Sequence, residues 1–248
     1  MTTTPDALWL GVNPSLKVFD QRLYRLLNYR TDMHYWAYHQ TMDEPCCFRA
    51  ALSLLDNYMQ RQEPMHLVGH GLSGTLGLLY ARLYPDRVKS LTLLSVGANP
   101  VVGWQAHYYA LRNRLPCSRQ MLLRQIATLL MGCQGAAKSA GLADRLEAVL
   151  DGELAPHSLA EHSQLSPGGV DVPLLVCHGA YDAIVDPNAH SQWQPYLASG
   201  DRLWSCPQGR HFFHYTHPLK VSPVILDFWQ QATPMPRLPL IEIVSSAS

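Results

Sequence analysis

The 248-residue chain carries 19 basic and 19 acidic residues, and 47% of its residues are apolar. This balance offers no net charge to attract nucleic acid or an anionic membrane surface, and no run of residues reaches the roughly 18 apolar positions of a membrane span. The N-terminal sequence shows no basic segment followed by an apolar stretch, and the six cysteines include no C-x-x-C pair. We therefore predict a cytoplasmic protein with reduced thiols, no metal site and no cofactor.

Short apolar runs alternate with helical patterns along most of the chain. Strands are predicted at residues 7–12, 34–38, 65–68, 88–96, 172–177 and 202–206. A helix capped by Ser15 is predicted after the first strand, with Leu16, Phe19, Leu23 and Leu26 on its apolar face. This alternation predicts an α/β fold in which helices cover both faces of a mostly parallel central sheet.

The alternation stops between residues 97 and 169. Three helical patterns follow one another there without a strand between them, and Pro167-Gly168-Gly169 marks the return to the sheet. We predict one domain over residues 1–248, with residues 97–169 as a helical insertion. The insertion either forms a cap over a pocket or packs beside the sheet.

The segment 65–74, MHLVGHGLSG, combines an apolar run, a glycine-flanked turn and the start of a helix. A strand, a sharp turn and a helix in this order form the nucleophile elbow, G-x-S-x-G, of the α/β hydrolases. The residue at the tip of the turn is Gly71, which has no side chain. The turn is therefore predicted to keep the backbone of a catalytic elbow without its nucleophile.

The chain resembles the α/β-hydrolase superfamily, in particular the esterase-like members with a helical cap, over residues 7–229. The resemblance is carried by LVGHGLSGTLGLLYARLYPDRVKSLTLLSV, by VPLLVCHGAYDAIVDP and by CPQGRHFFHYTHP. It implies that Asp182 is the acid and His211 the histidine of a catalytic triad whose nucleophile position is Gly71. The three segments occur in the order that the fold requires.

The sequence departs from the family pattern in three further places. The loop after the first strand reads GVNPS in place of a His-Gly motif, and Pro14 has no N–H to donate to an oxyanion. The loop after the second strand lacks the usual Arg-Gly run, and the leading antiparallel hairpin is predicted to be absent. The first of these departures, together with Gly71, removes hydrolytic machinery.

Several side chains near the turn admit two interpretations. Ser73 is either a substitute nucleophile or a small residue packed in the first helical turn. The pair of His211 and Asp182 is either a general base or a buried structural hydrogen bond. The candidate binding residues are Asn13, His70, Leu72 and Ser73. Histidines 211, 214 and 217 recur at every third position, but the family pattern already accounts for His211, so no metal is predicted.

Two classes of function remain open from the sequence. The first is a non-hydrolytic relative of the hydrolases that binds a small apolar molecule or a protein partner. The second is an enzyme, either a hydrolase of small ester-like substrates or a cofactor-free enzyme, that uses the His211–Asp182 pair with water or Ser73. If the insertion covers a cleft, the sequence predicts a largely apolar and uncharged ligand, because the insertion offers few clustered charges.

Overall fold

Six parallel strands form one sheet in the computed structural model, which describes residues 5–39, 41, 43, 47–100, 103–133, 135–153, 166–185 and 188–232. The strands are β1 (Ala7–Gly11), β2 (Met33–Ala37), β3 (Met65–His70), β4 (Val88–Leu94), β5 (Leu174–Gly179) and β6 (Arg202–Cys206). Their order across the sheet is β2-β1-β3-β4-β5-β6. The predicted α/β class with a parallel central sheet is confirmed.

Helices connect the strands and cover both faces of the sheet. They are α1 (Lys17–Asn28), α2 (Phe48–Met59), α3 (Leu72–Leu83), α4 (Trp104–Arg112), α5 (Arg119–Met131), α6 (Ala136–Gly152), α7 (Ala189–Trp193), α8 (Phe213–Thr216) and α9 (Pro218–Gln231). Short 3-10 turns occupy Pro14–Leu16, Pro85–Arg87 and Gln194–Tyr196. In the part of the chain that the structure describes, no helix is long and apolar enough to cross a bilayer.

Each face of the sheet packs in an apolar cluster of its own. Alternate residues of β1 divide between them, because successive side chains of a strand point to opposite faces. Leu8 and Leu10 pack with the α2 and α3 side of the sheet. Ala7 and Trp9 pack with the α1 and α9 side. Burial on both faces explains why these strands are near-continuous apolar runs in the sequence.

The first helix differs in detail from its prediction. Ser15 does not cap it, because Pro14 begins a 3-10 turn through Leu16 that leads directly into α1, and no side chain caps either segment. The buried face of α1 includes Leu27 and not Leu26. It also includes a charged residue, Asp20, among its apolar side chains.

Three helices, α4 to α6, lie between β4 and β5 in the predicted insertion. They enclose an apolar cluster of their own, in which Leu122, Ile126 and Leu146 are fully buried. Leu16, in the 3-10 turn before α1, and Phe212, before α8, belong to the same cluster. The described helices of the insertion therefore pack against residues of loops that follow sheet strands, such as Ile184, Val185 and Phe212.

Candidate functional site

The chain reverses its direction of winding between β1 and β3. From β1 it runs outward to β2 and then returns to β3 on the other side of β1. Ligands of parallel α/β sheets bind at such a switch point, outside the carboxyl ends of the strands. The loop after β1 and the turn at Gly71 after β3 both lie at this point, which defines the candidate site.

Gly71 forms the tip of a sharp turn between β3 and α3. Its backbone has φ 50° and ψ −121°, a conformation that strains residues with a side chain but not glycine. Gly69 in β3 and Gly74 in α3 let the strand and the helix approach closely. A Cβ on Gly69 would lie 2.6 Å from the Gly74 nitrogen, which is too close for a residue with a side chain. The Gly71 amide donates to the Leu94 carbonyl oxygen at 2.9 Å, which fixes the turn to β4.

His211 and Asp182 form a buried hydrogen-bonded pair beside this turn. His211 Nδ1 donates to Asp182 Oδ2 at 3.0 Å, and the two residues are 1% and 0% exposed. Asp182 Oδ1 accepts the amides of Ile184 and Val185 at 2.9 and 3.2 Å. Burial by itself would raise the pKa of Asp182, but His211 and the two amides outweigh it and hold the pKa at about 2. The carboxylate is therefore ionised and fixes the imidazole with its proton on Nδ1.

The other ring nitrogen of His211 points toward Gly71. A Cβ on Gly71 would lie 3.9 Å from His211 Nε2. Nε2 itself is buried and has no hydrogen-bond partner among the described residues. His211 thus lies between Asp182 and the tip of the turn, where Gly71 presents only backbone atoms.

His70 holds the loop that carries His211. Its Nε2 donates to the His211 carbonyl oxygen at 2.9 Å, and the Ser95 hydroxyl donates to the same oxygen at 2.8 Å. The His70 ring also packs on the rings of His211 and His214, with centroids 4.8 and 4.3 Å away. Burial, with the two neighbouring imidazoles, places the pKa of His70 well below its usual value. His70 is thus a neutral positioning residue.

Backbone amides of the loop after β1 are bonded within the protein. The Val12 amide donates to Ser73 Oγ at 3.1 Å, and the Ser15 amide donates to Glu153 Oε1 at 2.8 Å. The Leu16 amide donates to the Asn13 carbonyl oxygen at 2.9 Å, and Pro14 has no amide hydrogen. This loop supplies one half of the oxyanion hole in α/β hydrolases. Three amides of this loop are therefore engaged within the protein.

Ser73 does not approach the geometry of a nucleophile. It stands where the G-x-S-x-G motif has its last glycine, and its hydroxyl oxygen accepts the Val12 amide. A catalytic serine would donate its hydroxyl to the histidine, and His211 Nε2 has no such partner. Cys177 is also unsuited to attack, because burial raises the pKa of its thiol.

A small cavity of ≈ 20 Å³ opens beside the turn. Its wall consists of Asn13, Leu16, Asp20, His70, Gly71, Leu72, Ser73, Trp104 and His211. The four predicted binding residues thus lie together with Gly71 and His211, while Asp182 lies behind His211. That the four bind a ligand stays a prediction. The volume suffices for one water-sized group.

Sequence reasoning missed Asp20, which places a carboxyl group in the wall of this cavity. Asp20 Oδ1 accepts His214 Nε2–H at 3.2 Å, and Asp20 Oδ2 accepts the Tyr35 hydroxyl at 3.1 Å. The available signal was a lone acidic residue inside the apolar stripe of α1. Among the described residues, no group of three or more His, Cys, Asp or Glu side chains could hold a metal ion.

Fold, turn and His–Asp pair together define an α/β hydrolase architecture. Residues 60–218 match the family described as alpha/beta hydrolase fold, and the chain belongs to that family. Its relatives include the uncharacterized protein sll0249 of Synechocystis sp., 41% identical over 224 residues, which cover 90% of this chain and 89% of that protein. The uncharacterized protein alr2406 of Nostoc sp. is 36% identical over 235 residues, 93% of this chain and 92% of that protein.

Solved structures show the same fold. The α/β hydrolase MGS-M2 from a deep-sea metagenome superposes with a TM-score of 0.66 at 15% identity, covering 96% of this chain and 94% of that chain. The meta-cleavage product hydrolase CumD of Pseudomonas fluorescens superposes with a TM-score of 0.65 at 14% identity, covering 92% and 90%. At these identities the likeness concerns the fold alone.

Proposed function

We propose that this protein is a non-hydrolytic α/β-hydrolase homologue that binds a small, mostly apolar molecule or a protein partner at the cavity beside Gly71. The observation that carries the proposal is the empty third position of the triad. The backbone of Gly71 has the elbow conformation and faces His211 Nε2, but no hydroxyl or thiol of the described residues bonds to that nitrogen.

The state of the oxyanion loop supports the same proposal. Esterases stabilise the developing oxyanion with convergent N–H groups, and loss of one donor typically lowers kcat about 10²- to 10³-fold. Here the amides of Val12, Ser15 and Leu16 bond within the protein. The first amide of α3, at Leu72, remains a suitable donor, because the first amides of a helix have no intrahelical acceptor.

A serine-directed fluorophosphonate probe tests this proposal. We expect no labelling of the unmodified protein and labelling of the Gly71→Ser variant, because a hydroxyl on that residue would lie near His211 Nε2. Adding His211→Ala to Gly71→Ser should abolish the labelling, since the histidine activates the serine. Gly71→Ala is the matched control for backbone strain, which we expect to cost about 1–3 kcal/mol in both single variants. Labelling of the unmodified protein would contradict the proposal.

A second candidate function is general-base catalysis on a bound water by the His211–Asp182 pair. It is favoured by the buried, unpartnered Nε2 of His211 next to a cavity that fits a water. Such a base typically contributes about 10²- to 10⁴-fold. Turnover of short acyl esters that is lost in both His211→Ala and Asp182→Asn, but kept in Ser73→Ala, would establish this function in place of the first.

A further inference from the structure

Two hydrogen-bond acceptors face the cavity from different elements. His211 donates from Nδ1 to Asp182, and Nε2 meets no acceptor among the described residues. In the neutral imidazole whose Nδ1 donates, Nε2 is the acceptor, and here it is buried without a donor to satisfy it. Asp20, on α1, is the second acceptor. Each of its oxygens receives one hydrogen bond, which leaves further lone pairs for a ligand.

The Asp20 carboxyl group has two donors among the described residues. One donor is the Tyr35 phenol, whose pKa is raised by burial, by Asp20 and by Glu153, so it stays protonated. The other is His214, whose Nε2 lies 3.2 Å from Asp20 Oδ1. The nearby cationic side chain of Lys17 lies over the Tyr35 ring, with Nζ 4.4 Å from the ring centroid, and does not ion-pair with Asp20 among the described residues.

The size of the cavity restricts the group that can meet these acceptors. At ≈ 20 Å³ it admits a water-sized head group. Trp104 and Leu16 form apolar parts of the wall. The face of an indole ring also attracts cations.

We propose that the cavity takes the primary ammonium group of a ligand with an apolar body, held between the Asp20 carboxylate and His211 Nε2. This proposal rests on the proposed binding function and adds the chemistry of the head group. An ammonium is water-sized, donates up to three hydrogen bonds and carries a positive charge, which a carboxylate attracts. An ester or a carboxylic acid presents acceptors, which would face two acceptors in the cavity.

Titration calorimetry with n-hexylamine, n-hexanol and hexanoate tests the proposal, because the three share an apolar body and differ in the head group. We expect hexylamine to bind at least about tenfold more tightly than hexanol, since hydrogen bonds to charged groups are the stronger ones, and hexanoate not to bind. Asp20→Asn should remove the preference for the amine. Asp227→Asn, an exposed carboxylate that pairs with Arg202, is the matched control and should keep it.

Tyr35→Phe provides a second variant in case Asp20→Asn does not fold. It removes one neutral donor from Asp20 and should leave hexylamine binding equal or tighter, so a loss of binding would contradict the proposal. Binding of Nα-acetyllysine amide at the strength of hexylamine would identify a protein side chain as the source of the ammonium. Binding of hexylamine alone would identify a small amine.

The outcomes separate this proposal from the proposed function. Equal binding of the three compounds, no binding of hexylamine, or equal hexylamine binding by the unmodified and Asp20→Asn proteins would overturn the ammonium assignment. None of these results would restore a nucleophile. Fluorophosphonate labelling of the unmodified protein would contradict the proposed function instead, independently of any amine preference.

Discussion

At the scale of single residues, Gly11 and Tyr35 compete for the same space. Gly11 ends β1, and the Tyr35 ring lies over it. A Cβ on Gly11 would overlap the Tyr35 hydroxyl and come within 2.7 Å of two ring carbons. The Tyr35 hydroxyl is in turn bonded to Asp20. Glycine at this position therefore allows Tyr35 to reach the wall of the cavity.

Gly11→Ala should destabilise the protein, because Tyr35 must leave its position and its hydrogen bond to Asp20. We expect a loss of about 1–3 kcal/mol in the free energy of unfolding, as for other overpacked sites. Urea denaturation of Gly11→Ala, Tyr35→Ala and the double variant measures the coupling. The double variant should be more stable than the sum of the single effects indicates. Additive effects would show that the two residues do not compete for the same space.

The sequence predicts the residues of the site unequally. Gly71, Asp182 and His211 could be placed because each follows a strand in a motif with a fixed order. Asp20 belongs to a helix whose face is apolar, and its approach to the cavity depends on the 3-10 turn at Pro14–Leu16. Local sequence does not determine the direction that such a turn gives to the following helix.

At the scale of elements, the loop that carries His211 is joined to the helical insertion. The Phe212 amide donates to the Leu130 carbonyl oxygen near the end of α5 at 3.3 Å. Gly132 ends this helix with φ 82°, and a Cβ there would lie 2.9 Å from Arg210 Nε. The position of the insertion and that of the histidine loop are therefore coupled. The sequence predicted these helices but not their contact with the loop, because the two segments are far apart in the chain.

Two glycines of the insertion should respond in opposite ways to alanine. Gly132→Ala should lower the free energy of unfolding by at least about 1 kcal/mol, because alanine strains a backbone with positive φ and the new methyl group meets Arg210. Gly141→Ala, inside α6 with open space around a Cβ, should raise it by about 0.5–1 kcal/mol. Denaturant titration measures both. Faster hydrogen exchange at Phe212 in Gly132→Ala alone would confirm the coupling, and unchanged exchange there would contradict it.

At the scale of the whole molecule, buried neutral histidines should make stability depend on pH. His66 lies in the sheet, with its Nδ1 2.7 Å from the Ser90 hydroxyl oxygen and its ring stacked on Trp229. Burial, together with the charge of Lys89, lowers the pKa of His66 to about 4. His70 is shifted in the same direction. Asp182, with a pKa of about 2, loses its stabilising effect only at more acidic pH.

The sign of this dependence follows from proton uptake. Below the ordinary histidine pKa of about 6.5 the unfolded chain binds a proton at residue 66, and the folded protein does not until the pH approaches 4. The free energy of unfolding should therefore fall by about 1.4 kcal/mol per pH unit for this residue as the pH decreases between these values. The free energy of unfolding of His66→Gln should depend less steeply on pH than that of the unmodified protein. We expect the slope, measured by urea denaturation between pH 6.5 and 4.5, to decrease by the equivalent of about one bound proton. His34→Gln changes an exposed histidine on β2 and is the matched control. An equal reduction in both variants would show that burial in the sheet is not its cause.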